Sequence, residues 1–137
     1  MKDKVFTDTN ILIYFISDDI HKKNISKTIL ATDYKIVISS QVINEFVAVT
    51  TKKLILPFTE IVHYANEFMD IFRFSVITNH TIKMSFELKQ KYKFSTWDNL
   101  IIASALENDC SVLFTEDMQD GQIIENSLKI VNPFKDK

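Results

Sequence analysis

Four carboxylates stand where acid or metal chemistry could be done. Asp8 directly follows a strand-like run in Val5-Phe6-Thr7-Asp8-Thr9-Asn10, and Asp117 follows another in Leu113-Phe114-Thr115-Glu116-Asp117. On a helical wheel Glu45 falls between Ala48 and Val49, and Asp98 falls between Ile101, Ala105 and Ile102, so both lie inside the apolar arc of a helix. A buried carboxylate without a partner is costly. Two carboxylates about 5 Å apart repel by roughly 3 kcal/mol at an effective dielectric near 20. Four convergent acids therefore persist only with bound cations or raised pKa values. Oxygen-only ligands of this kind suit Mg²⁺, with Mn²⁺ as a substitute, and should lie within one metal-bridging distance of each other. His21, His63 and His80 are scattered and Cys110 is alone, so no zinc set forms. Each acid also has a purely structural use. Asp8 can cap the helix that follows it, Asp117 can serve a turn with Asp120-Gly121, and Glu45 can reach water from the arc edge. Ser95 and Asp98 have the spacing of a capping-box variant.

Positioning these acids takes a sheet with helices. Four apolar, β-branched or aromatic runs read as strands: Val5-Phe6, Lys35 to Ile38, Phe74 to Ile77 and Ser111 to Phe114, with a fifth at Leu128 to Val131. Helical spacing recurs between them: Val42, Phe46 and Val49; Ile61, Ala65, Phe68 and Phe72 behind Pro57; Met84, Leu88 and Tyr92. Strands alternating with helices define an α/β fold, a parallel sheet covered on both faces. Sites in such sheets form beyond the carboxyl ends of the strands, which is where Asp8 and Asp117 emerge.

The chain has 137 residues, which suits one domain spanning 1–137. Apolar residues make up 46% and charged residues 25%, so the chain is globular rather than disordered. One cysteine excludes an internal disulfide and fits a reducing cytoplasm. No apolar run is long enough to cross a bilayer, and Met1-Lys2-Asp3-Lys4 leads straight into a strand, so no signal peptide is expected. Net charge is −2, so contact with an anionic polymer must be local or carried by cations. The run Lys89-Gln90-Lys91-Tyr92-Lys93-Phe94 leads toward Asp98. Its lysines suit either RNA contact or the solvated end of a helix, where they complement the dipole.

The acid-bearing segments resemble the motifs of the PIN-domain family in order. Val5 to Leu12 is similar to the opening motif, a strand running into Asp-Thr-Asn. Ser40 to Phe46 resembles the helix carrying the second acid. Trp97 to Glu107 looks like the third motif, an Asp opening a buried helix, although Asn99 stands where alanine is frequent. Leu113 to Gly121 is similar to the fourth motif in the form common among VapC-type toxins. The resemblance implies a parallel sheet of about five strands flanked by helices. It implies Mg²⁺ or Mn²⁺ at Asp8, Glu45, Asp98 and Asp117, with Glu116 as a supplementary ligand and Asn10 and Thr115 shaping the pocket. It further implies hydrolysis of RNA phosphodiesters by a toxin of a toxin–antitoxin pair, a homodimer, and inhibition by a small antitoxin laying an amphipathic helix in an apolar groove. The alternative is a PIN-like interaction protein that keeps the fold without nuclease activity. A haloacid-dehalogenase-type phosphatase would need a second Asp two residues after Asp8, where Asn10 stands. A response-regulator receiver would need an acidic pair at the first strand and a phospho-acceptor after the third, where Thr78-Asn79 stands.

Overall fold

The computed structural model describes residues 3–135. Its strands are β1 (Lys4–Thr7), β2 (Lys35–Ser39), β3 (Arg73–Ser75), β4 (Val112–Phe114), β5 (Ile123–Ile124) and β6 (Leu128–Val131). Its helices are α1 (Thr9–Ile16), α2 (Ile20–Leu30), α3 (Ser40–Lys53), α4 (Phe58–Ile71), α5 (Asn79–Lys91) and α6 (Thr96–Glu107). The strands form one sheet in the order β3-β2-β1-β4-β6-β5. Five are parallel, as the sequence implies, and β5 adds a short antiparallel edge against β6. The third strand begins at Arg73 rather than Phe74 and stops at Ser75.

Local chemistry sets the helix starts. Asp8, Asp19, Ser39, Thr78 and Ser95 each cap a helix by accepting from a backbone N–H, and Pro57 precedes α4, where its fixed φ suits the entry. β1 lies at the centre, and Val5, Phe6, Val37, Ile38 and Leu113 on the three middle strands are fully buried. A strand covered on both faces is apolar at successive positions rather than alternate ones.

The topology then fixes where a site can form. The chain runs outward from β1 to β2 to β3, then returns across the sheet through α5 and α6 to pair β4 with the other side of β1. Right-handed crossovers place the helices of these opposed excursions on opposite faces. The strand order reverses between β1 and β4, which opens a crevice at their carboxyl ends. There Asp8 N–H donates to the Phe114 carbonyl (2.9 Å), joining the exits of the two strands.

Candidate active site: an acid cluster at the switch point

Asp8 is 5% exposed and caps α1, accepting from Thr9 N–H at 2.7 Å. Its other oxygen accepts from Thr115 Oγ1 at 2.8 Å, across 107 residues of chain. The capping use of Asp8 is therefore real and coexists with its place in the cluster. Burial, above all, pushes its carboxyl up from 3.8 to about 6. The bonds from Thr9 and Thr115 oppose the rise, and the Glu45 and Asp117 carboxylates add to it.

Glu45 is half-buried on α3. Thr9 Oγ1 donates to its Oε2 at 3.0 Å, and Gln41 Nε2 donates to its Oε1 at 2.9 Å. The same Gln41 nitrogen donates to the Trp97 carbonyl at 3.2 Å, which ties the start of α6 to α3. Asp98, also half-buried, opens α6, and its N–H donates to Ser95 Oγ at 3.0 Å. Its carboxyl is raised by burial and, against a bond from Ser95, by Asp117 and Glu45. Asp117 is raised by burial, then by Glu116 and Glu45. Thus the Glu45 carboxylate helps raise Asp8, Asp98 and Asp117, and Asp117 helps raise Asp8 and Asp98, which puts the four acids in one electrostatic neighbourhood.

Glu116 behaves differently. Partial burial raises its carboxyl, but Lys22 and Tyr14 outweigh that and hold it below the usual range, with Asn10 contributing a further bond. Lys22 Nζ meets Glu116 Oε2 at 2.6 Å, and Tyr14 Oη donates to Oε1 at 2.6 Å. The ammonium also lies over the Tyr14 ring (4.6 Å) and the Phe134 ring (5.7 Å). Glu116 is thus already neutralised, whereas the other four acids make no ion pair among the described residues.

The donor set fits a hard divalent cation, being all carboxylate oxygen. Among the described residues, however, no three acid, His or Cys side chains draw together into a ready-made metal cage. Asp8 accepts from Thr115 and Glu45 accepts from Thr9 and Gln41. The histidines lie elsewhere: His63 pairs with Glu67 (3.3 Å) and His80 with Glu107 (3.5 Å).

Asn10 and Thr115 stand beside the acids, on Glu116 and Asp8 respectively. The lysine run is partly spoken for. Lys89 Nζ meets the Phe94 carbonyl at 2.5 Å, Lys91 pairs with Glu125 at 2.9 Å, and Lys93 is exposed. Asn99 is buried, donating to the Phe94 carbonyl (3.2 Å) while its Oδ1 has no hydrogen-bond partner among the described residues. Sequence reasoning missed Thr9, Gln41, Tyr14 and Lys22. Gln41 had a signal, since it precedes Glu45 by one helical turn. Lys22 had none, being 94 residues from Glu116.

A mostly parallel α/β sheet with carboxylates clustered at its switch point defines the class. Residues 5–119 match the PIN domain model, and the chain belongs to the PIN domain family. No curated protein matches. Among solved structures, a toxin–antitoxin complex from Klebsiella pneumoniae has a TM-score of 0.71 at 23% identity, covering 95% of this chain and 98% of that one. The Mycobacterium tuberculosis sarcin-ricin-loop-cleaving toxin VapC20 has a TM-score of 0.67 at 13% identity, covering 80% and 87%. VapBC2 from Rickettsia felis, bound to a promoter DNA fragment, has a TM-score of 0.66 at 20% identity, covering 93% and 98%. The chain therefore shares its fold with these structures, one of them a toxin–antitoxin complex. No helix among the described residues is long and apolar enough to cross a membrane.

Proposed function

We propose that residues 1–137 form one PIN domain acting as a Mg²⁺-dependent endoribonuclease, with Mn²⁺ as a substitute. In this reading it is the cytoplasmic toxin of a toxin–antitoxin pair. The observation that carries the reading is electrostatic. Four carboxylates stand within electrostatic reach of one another, none with a counter-cation among the described residues, and the deepest of them, Asp8, is held up to about 6. Such a site favours positive charge. Asp8, Glu45, Asp98 and Asp117 would hold the metal, and Glu116 joins them only when its pair with Lys22 opens. When bound, the divalent ion supplies Lewis-acid activation of water and charge neutralisation at a phosphate.

The chain's own groups do the positioning. Thr115 and the Thr9 amide fix the two oxygens of Asp8, Thr9 Oγ1 and Gln41 fix those of Glu45, and Asn10 and Thr115 shape the pocket wall. The carboxylates are ligands rather than a general acid and base. Lys93, in no ion pair among the described residues, and at need Lys89 and Lys91, would meet the RNA backbone.

An apolar groove of about 420 Å³, lined by Phe15, Leu30, Phe68, Ile71 and Phe72, suits an amphipathic antitoxin helix. Ile55, Phe58 and Ile71 stay exposed, which suits a homodimer. The test is incubation of RNA with the purified protein in Mg²⁺, in chelator, and with Asp98→Asn. Cleavage should require metal and disappear in the variant. Cleavage that survives both would overturn the assignment, and a folded protein that binds a small partner yet never cuts RNA would favour the interaction-protein alternative.

A further inference from the structure

Beside the acids lies a second hollow, of about 530 Å³, lined by Ser40, Gln41, Asn44, Glu45, Ile77 and Trp97. Trp97 is 66% exposed although it sits in the first turn of α6. Its ring has no aromatic partner among the described residues. An indole left in water costs apolar burial, so something else must account for it. Gln41 bridges Glu45 and the Trp97 carbonyl, so the Trp97 backbone is held in fixed relation to the acid cluster, and Glu45 belongs to both hollow and cluster.

We propose that this hollow holds one unpaired base of a single-stranded RNA, stacked on the Trp97 indole and read along its edge by the Asn44 amide. The inference rests on the nuclease reading above and names how that site would grip its substrate. The chemistry of the lining decides the occupant. Asn44 is exposed and offers both a donor and an acceptor, the pairing used for an adenine edge. A flat apolar partner face would strand Ser40, Gln41, Asn44 and Glu45 without water, which disfavours a second copy of the chain. An acidic peptide would meet Glu45. No lysine or arginine lines the hollow, so its contribution is stacking and edge contact rather than phosphate charge. A base seated there presents its neighbouring phosphate to the acids.

Trp97 is the only tryptophan, so its emission reports this one place. The experiment titrates wild-type protein with short oligo(rA) and oligo(rU) in Ca²⁺ buffer, following Trp97 fluorescence, and repeats the binding by polarisation of labelled oligonucleotide. Saturable quenching is expected. Trp97→Leu should weaken oligonucleotide binding by roughly tenfold without changing its salt slope, whereas Trp97→Phe keeps most of it. Asn44→Leu should erase any preference for oligo(rA) over oligo(rU). Circular dichroism establishes that each variant is folded. Binding without quenching, no binding at all, or a folded Trp97→Leu protein of unchanged affinity would overturn the inference. So would emission that shifts with protein concentration alone, which would mean that a second copy covers Trp97. Quenching without cleavage in Mg²⁺ would leave the base site standing and remove the nuclease reading. Cleavage without quenching would do the reverse.

Discussion

Asp8 does two things that conflict electrostatically. As the cap of α1 it gains from being ionised, yet its burial and its acidic neighbours favour the protonated form, and the balance puts it near 6 rather than 3.8. The folded pKa lies above the unfolded one. The stability linked to Asp8 is therefore complete below about 3.8 and is lost as pH rises through about 6, a difference of about 3 kcal/mol. Asp98 and Asp117 tilt the same way, while Glu116 and Glu125 tilt the other. In chelator, urea midpoints of the wild type should fall between pH 4 and pH 6, and Asp8→Asn should flatten that slope; an unchanged slope in the variant would refute the assignment. Asp98→Asn makes a different point. The cap of α6 is Ser95, which accepts from the Asp98 backbone N–H, so the cap outlasts loss of the carboxylate charge. The variant should melt at or above the wild-type temperature while losing RNA cleavage, and a folded variant that still cuts would return Asp98 to a structural role.

At the scale of elements, α1, α3 and α4 meet through rings. Phe68, 4% exposed, touches Phe15 (5.9 Å), Phe46 (5.3 Å), Tyr64 (6.5 Å) and Phe72 (6.0 Å) between ring centres. Phe68→Ala should cost about 3–5 kcal/mol in a denaturant titration, because the ring's neighbours cannot collapse onto the void together. The β5–β6 hairpin turns at Glu125 and Asn126, both with positive φ (50° and 58°), closed by Ser127 N–H to the Ile124 carbonyl (3.1 Å). Asn tolerates that region and a β-branched residue does not. Asn126→Val should therefore cost about 1–2 kcal/mol where Asn126→Gly costs nothing, as paired thermal melts would show.

The same two places explain what was legible in the residues. The strands β1, β2 and β4 are built on continuous apolar runs because both of their faces are covered, whereas β6 alternates, with Lys129 exposed between buried Leu128 and Ile130. β5 is two residues long and its turn lacks glycine, so neither length nor turn chemistry announces it. Helix α2, with the sequence Ile-His-Lys-Lys-Asn-Ile-Ser-Lys-Thr-Ile-Leu, buries only Ser26 and Ile29 and has little pattern to read. Phe74 and Val76, which suggest a longer third strand, stay exposed at the sheet edge. In the candidate site, Glu45 and Asp98 are legible because they interrupt apolar arcs, and Asp8 and Asp117 because they directly follow strand-like runs. Their hydrogen-bond partners and the Lys22–Glu116 pair are not, because those contacts join distant parts of the chain without marking either locally.

Taken whole, the molecule carries Asp8, Glu45, Asp98 and Asp117 within electrostatic reach of one another and should respond to divalent ions as a unit. Mg²⁺ at about one hundred times its Kd should stabilise the fold by about 2.7 kcal/mol, read as a rise in melting temperature. The rise should vanish in Asp8→Asn and persist in Lys89→Ala; an equal rise in all three would mean that the ion acts elsewhere. The strand order also sets a clock. β1 is made first but sits at the centre of the sheet, and one of its two neighbours is β4, which ends at Phe114. The Thr115 hydroxyl that fixes Asp8 arrives 107 residues after it. At ribosomal speeds of about 5–20 residues per second, roughly 5 to 20 seconds separate the two. Throughout that interval the nascent chain carries Asp8, and for most of it Glu45, with no crevice to hold them. Until the segment around Thr115 is in place, the Asp8 carboxyl lacks the hydroxyl that holds it.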